Sequence, residues 1–144
     1  GHAQLRLVAV RSSSGALILD DTYNASPESM LAALNLLDEM DGRKIAVLGD
    51  MLELGPYEKQ GHEMVGMRAV QVARTLLTLG SRAHMIADAA RRAGMKPSHI
   101  FEFENPELIV DWLNKNLTSN DAVLIKGSHG LRMDRITAAL EVKS

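Results

Sequence analysis

From Ala16 onward the chain alternates between two spacings, and this alternation constrains the fold more than any other feature. Short apolar runs at Ala16–Leu19, Lys44–Leu48, Thr75–Leu79, Ile100–Phe103 and Ala122–Ile125 have strand character, and the segments between them place apolar residues at helical intervals. Met30, Leu31, Leu34 and Leu37 mark the first such segment, expected as a helix from Pro27 to about Met40 with Gly42 as its C-cap. Further helices are expected over about Tyr57–Ala73, over Ala83–Ala93 closed by Gly94, over Pro106–Leu117, and through Met133, Ile136 and Leu140. Strands joined by helical crossovers imply an α/β fold: a Rossmann-like, doubly wound, mainly parallel sheet. Ahead of it, Leu5–Val10 and Ala16–Leu19 flank Ser12-Ser13-Ser14-Gly15, so the opening reads as a hairpin that adds an antiparallel strand.

The totals fit one domain spanning residues 1–144, with 1–4 read as tag or linker. At 144 residues and 46% apolar, the chain buries a core without needing disulfides or metal. A formal charge of −2, from 16 basic and 18 acidic residues, leaves no net field for a phosphate backbone, so nucleic acid is not an expected partner. There are no cysteines, no signal-type opening and no apolar run near the ~20 residues needed to cross a bilayer; the expectation is a cytoplasmic protein with no membrane insertion.

Three polar clusters fall where strands end: Asp20 to Ser26, Gly49 to Glu53, and Lys126 to His129. In an open α/β sheet these ends share one rim, and ligands bind there. Carboxylates at the first two clusters and an ammonium at the third can receive a zwitterion, a ribose or a metal-bound phosphate. Each has a structural reading as well. Asp20 and Asp21 can cap the turn, Ser26 can cap the helix beginning at Pro27, and Asp50 and Glu53 can complement a helix dipole. Lys126, leaving an apolar strand, is the most suggestive. Tyr23 and Tyr57 lie in or beside these loops. Trp112 shares helical spacing with Leu108 and Ile109 and is expected in the core, as are the eight methionines, and His62 is expected as a satisfied histidine at the surface or its boundary. The five histidines show no metal-ligand spacing. Neither G-x-x-x-x-G-K-[ST] nor G-x-G-x-x-G follows any strand, so the chain has no phosphate cradle of its own.

Asp20-Asp21-Thr22-Tyr23-Asn24-Ala25-Ser26-Pro27, Ala46 to Gly55, His62 with Val65-Gly66, and Leu124-Ile125-Lys126-Gly127-Ser128 occur in the order found in bacterial Mur ligases. The chain resembles their C-terminal domain over about Leu5 to Leu140, and most closely the branch that joins D-alanyl-D-alanine to UDP-N-acetylmuramoyl-tripeptide. The resemblance implies an N-terminal UDP-binding domain and a central ATPase domain in the same polypeptide, with ATP and Mg2+ held mainly by the central one. It implies an acyl-phosphate intermediate, a site closed by this domain, and no activity from this domain alone. By the same resemblance Asp21 would hold the ribose of ATP, and Tyr23 and Asn24 would approach nucleotide, Asn24 with Ser26 also approaching substrate. Chemical inference adds Lys126, Ser128 and Arg132, at the start of the last helix, for the dipeptide carboxylate, and Asp50 or Glu53 for orienting or deprotonating the attacking amine. Ser26 stands where asparagine is common in this motif, and His129 where arginine is frequent. Two other classes share parts of the pattern: folylpolyglutamate-type ligases, and phosphoacceptor receiver domains, mimicked by Asp20, Asp21, Asp50 and Lys126. A receiver is disfavoured because a hairpin precedes the acid pair and one crossover separates it from Asp50.

Overall fold

A computed structural model describes residues 7–141; residues 1–4, read as tag or linker, and Leu5 and Arg6, read as the start of the first strand, lie outside the described residues. The elements follow the order β1 (Val8–Arg11), β2 (Leu17–Asp20), α1 (Pro27–Asp38), β3 (Arg43–Gly49), α2 (Glu58–Val72), β4 (Thr75–Leu79), α3 (His84–Arg92), β5 (Ile100–Phe103), α4 (Pro106–Asn116), β6 (Asp121–Lys126) and α5 (Asp134–Leu140). Six strands form one sheet in the order β1-β2-β6-β3-β4-β5. Only β1 runs antiparallel, with Val8 opposite Asp20 and Arg11 opposite Leu17. The expected mainly parallel sheet with an N-terminal antiparallel strand is therefore present. No helix among the described residues is long and apolar enough to cross a membrane.

Helices cover both faces, which is why the central strands read as unbroken apolar runs. On one face Leu19, Ala46, Leu48, Leu76 and Leu124 meet Met30, Leu34, Val65, Ala69 and Ile86 from α1, α2 and α3. On the other, Ile18, Ile45, Val47, Leu77 and Val123 meet Ile109 and Leu113 of α4 and Ile136 and Leu140 of α5. The helix pair α2 and α3 packs closely because Gly66 has no side chain: a Cβ there would lie 2.3 Å from the Ile86 carbonyl oxygen.

Local chemistry sets the helix ends. Ser26 caps α1 in a reciprocal arrangement, its hydroxyl accepting from Ser29 N while Ser26 N donates to the Ser29 hydroxyl. Asn105 caps α4 by accepting from Glu107 N at 2.9 Å. Gly94, at φ +105°, ends α3 with Met95 N reaching back to Ala90 O. Two expected ends differ. Helix α1 stops at Asp38 with Glu39 as its cap, and Gly42 instead serves the turn into β3, where φ is +90° and a Cβ would meet the Asn120 carbonyl oxygen at 2.2 Å. Arg132 does not begin the last helix: a 3-10 turn over His129–Leu131 precedes it, Arg132 is left-handed at φ +51°, and α5 starts at Asp134. The methionines also divide, with Met30, Met51 and Met133 buried but Met64 and Met67 exposed on α2.

Candidate functional site

Because β2, β6 and β3 are adjacent and parallel, the three polar clusters meet on one rim. After β2, Asp21 N continues the ladder to Ile125 O, and the two aspartates then point apart. Asp20 closes the turn on itself, its Oδ1 accepting from Thr22 N at 3.1 Å and from the Thr22 hydroxyl at 2.8 Å. Asp21 is 1% exposed and turns inward to Lys126, whose side chain is 0% exposed. The Lys126 ammonium donates to Asp21 Oδ2 at 2.8 Å and Asn24 O at 2.8 Å, with Asp21 O at 3.4 Å. An ammonium has three protons, and each has a protein oxygen here. Lys126 therefore ties the loop after β2 to the end of β6, leaving Tyr23 and Asn24 exposed at the loop's tip.

The loop after β3 is fixed just as closely. Ser128 N donates to Asp50 O and Leu52 N to the Ser128 hydroxyl, which joins the β3 and β6 ends. The Asp50 carboxylate is buried and accepts from Ala83 N at 2.7 Å, so it serves the start of α3, with Arg82 3.8 Å away and also bound to Glu58. Gly80 is obligatory beside it, since φ is +107° and a Cβ would fall 2.5 Å from the carboxylate. His62 is satisfied, as expected, but fully buried and not at the surface. Its Nδ1 lies 2.6 Å from Glu58 O and must carry the proton, leaving Nε2 to accept from Met51 N. The helical spacing of His62 with Val65, Gly66 and Ala69, all buried, is the signal that marks it as an inward residue. Sequence reasoning missed Arg82 and Gly80, which act through contacts distant along the chain.

Glu53 differs from Asp50. It is exposed, left-handed at φ +63°, and makes no side-chain hydrogen bond or ion pair among the described residues. Arg132 is exposed on the third loop and pairs with Asp134 at 3.1 Å; that hydrogen bond raises the arginine pKa and lowers the aspartate's. The His129 ring lies 6.0 Å from Tyr23, beside a groove of ≈ 410 Å³ bordered by Val8, Val10, Asp20 and Asp134. Gly49 and Gly127 face each other where strand order reverses, and the Met133 thioether covers both: a Cβ on either would meet its sulfur, at 2.5 and 2.2 Å. The rim thus has an interlocked floor of Asp21, Lys126, Asp50 and Ser128. Tyr23, Asn24, Glu53 and Arg132 rise from it into solvent.

A doubly wound sheet with ligand-type groups on three adjacent loops defines a Rossmann-like domain with a candidate ligand site at its carboxyl rim. The chain belongs to the Mur ligase C-terminal family: the family described as "Mur ligase, glutamate ligase domain" matches residues 5–129. The UDP-N-acetylmuramoyl-tripeptide--D-alanyl-D-alanine ligase of Bacillus subtilis (strain 168) is 32% identical over 139 residues, covering 94% of this chain and 30% of that protein. The enzyme of that name from Escherichia coli (strain K12) is 32% identical over 141 residues, with 94% and 29% covered. The crystal structure of MurF ligase from Thermotoga maritima in complex with ADP aligns with a TM-score of 0.75 at 33% identity, over 90% of this chain and 29% of that one. The chain spans about 30% of the curated relatives it matches.

Proposed function

We propose that this chain is the site-closing domain of an ATP-dependent ligase that joins D-alanyl-D-alanine to UDP-N-acetylmuramoyl-tripeptide. The reading rests on family membership, the names of the relatives, and one observation: the three loops are locked into a single rim with four exposed polar groups above it. In the reaction a phosphoryl group passes from ATP to the tripeptide carboxylate. The dipeptide amine then attacks that carbonyl, phosphate leaves, and the amine gives up a proton. Bound magnesium would offset phosphate charge. Among the described residues no three His, Asp or Glu side chains are grouped to hold a metal. On this reading ATP phosphates and magnesium belong mainly to the upstream central domain.

On this reading the residues divide by burial. Asp21 and Lys126 hold the loop that presents Tyr23 and Asn24 to the nucleotide, and Ser26 starts α1 beneath it. Arg132 is the exposed cation for the dipeptide carboxylate, with Ser128 fixing the loop that carries it. Glu53 orients the amine or takes its proton, and Asp50 positions the Glu53 loop against α3.

The test is a polypeptide carrying this chain behind its UDP-binding and ATPase domains. Sustained, multiple-turnover ADP release should require both tripeptide and D-alanyl-D-alanine, and the product should have the mass of the joined pentapeptide. The isolated chain should give none. ADP release that responds to a single amino acid and not to the dipeptide would overturn the proposal.

A further inference from the structure

At the opposite edge of the sheet, where β3, β4 and β5 begin, lies a groove of ≈ 690 Å³ that the ligase reading does not use. It gathers Arg43, Lys44, Arg74 and His99 with the rings of Phe101 and Trp112, and no carboxylate among the described residues lines it. The basic residues look scattered in the sequence; the sheet collects them. Ile45 pairs with Thr75 across β3 and β4, and Arg74 N donates to Lys44 O, so Lys44 and Arg74 lie side by side just before that pair. Arg43 is neutralised by Asp121, whereas the Arg74 side chain has no hydrogen bond or ion pair among the described residues, nor does His99. Among the described residues the Lys44 ammonium binds the Asp38 carbonyl, a neutral oxygen at the end of α1. Phe101 and Trp112 form the groove's apolar wall, half-buried, with ring centroids 5.2 Å apart at 48°.

We propose that this groove binds a small phosphomonoester carrying a flat ring, the phosphate at Arg74 and the ring on Trp112. The Arg74 guanidinium has no counter-charge among the described residues, and its fork matches phosphate geometry. The apolar wall adds a preference for a ring over bare phosphate. The site is separate from the carboxyl rim, so it stands or falls independently of the ligase proposal.

Trp112 is the only tryptophan, so its emission reports on the groove directly. At constant ionic strength, phenyl phosphate should change that emission saturably. Inorganic phosphate and benzyl alcohol, each holding half of the chemistry, should bind at least about tenfold more weakly. Arg74→Glu should weaken phenyl phosphate by about tenfold or more, with a cooperative melt showing that the chain is still folded. No saturable change, an equal change with sodium chloride, phosphate binding as tightly as its phenyl ester, or unaltered binding by a folded Arg74→Glu chain would each overturn the proposal.

Discussion

The Lys126 ammonium lies 2.8 Å from Asp21 Oδ2 with both side chains out of solvent, joining residues 105 positions apart. A buried charge that loses its partner is far more costly than the pair is beneficial. Lys126→Met should therefore lower unfolding free energy by about 3 to 5 kcal/mol, and the double variant Lys126→Met/Asp21→Leu should recover much of that. Urea denaturation of the three chains decides it. A single variant as stable as the parent would show that the pair does not hold the rim.

Gly66 makes a prediction of opposite sign to helix propensity. Alanine in place of a helical glycine normally stabilises by about 1 kcal/mol, but here its methyl would press on Ile86 O. Gly66→Ala should instead cost about 1 to 3 kcal/mol, read as a lower melting temperature.

Asp121 governs the acid limb of stability. Burial alone would raise its pKa, but two hydrogen bonds from Arg43, one from Thr118 N and the guanidinium charge outweigh it, and the net shift is downward. A depressed carboxylate adds stability above its unfolded pKa of about 3.9 that is lost as pH falls through the folded value. Asp121→Asn should cost about 2 kcal/mol near neutrality and little at strongly acid pH, so its denaturation curves should converge with the parent's as pH drops.

His84 acts in the other direction. Both ring nitrogens meet carboxylates, Glu102 at 2.5 Å and Glu104 at 2.7 Å, and these bonds raise its pKa; Arg91, itself paired with Asp88, shares Glu102. The resulting stability is full below the unfolded value of about 6.5 and is lost as pH rises through the folded one. The melting-temperature gap between parent and His84→Gln should be largest at mildly acid pH and close in alkaline buffer. A gap independent of pH would mean the imidazolium contributes nothing.

In the multidomain ligase, Arg132→Ala should raise KM for D-alanyl-D-alanine by about tenfold or more, the scale for one lost charge-assisted contact, and leave KM for ATP nearly unchanged. Glu53→Gln should lower kcat with a smaller effect on either KM. If both variants shifted only the ATP constant, the assignment of these loops to the dipeptide would fail.

Where neighbours in sequence decide structure, the sequence was a good guide. Strands β4 and β5 begin and end where apolar spacing places them, and Ser26 and Asn105 cap their helices because capping needs only residues two or three positions away. The inward turn of Lys126 was not legible. It depends on β6 inserting beside β2, which puts Asp20 opposite Ile125, and no local pattern encodes that strand order. The same holds for Asp50, whose partner Ala83 belongs to the next crossover. Arg132 was misplaced because a single left-handed residue interrupts an otherwise helical pattern.

The antiparallel run of β1 also fixes a lever. Val8 lies opposite Asp20, so the chain enters the domain at the carboxyl rim and not at the far edge. In the proposed multidomain enzyme a rotation about that entry point would sweep the groove at Arg74 through a long arc, about 25 Å from the pivot by strand length and spacing, while displacing Tyr23 and Asn24 only slightly. Closure of such a domain would be a small, accurate motion at the chemistry and a large one at its back, where a label beside Arg74 would register it best.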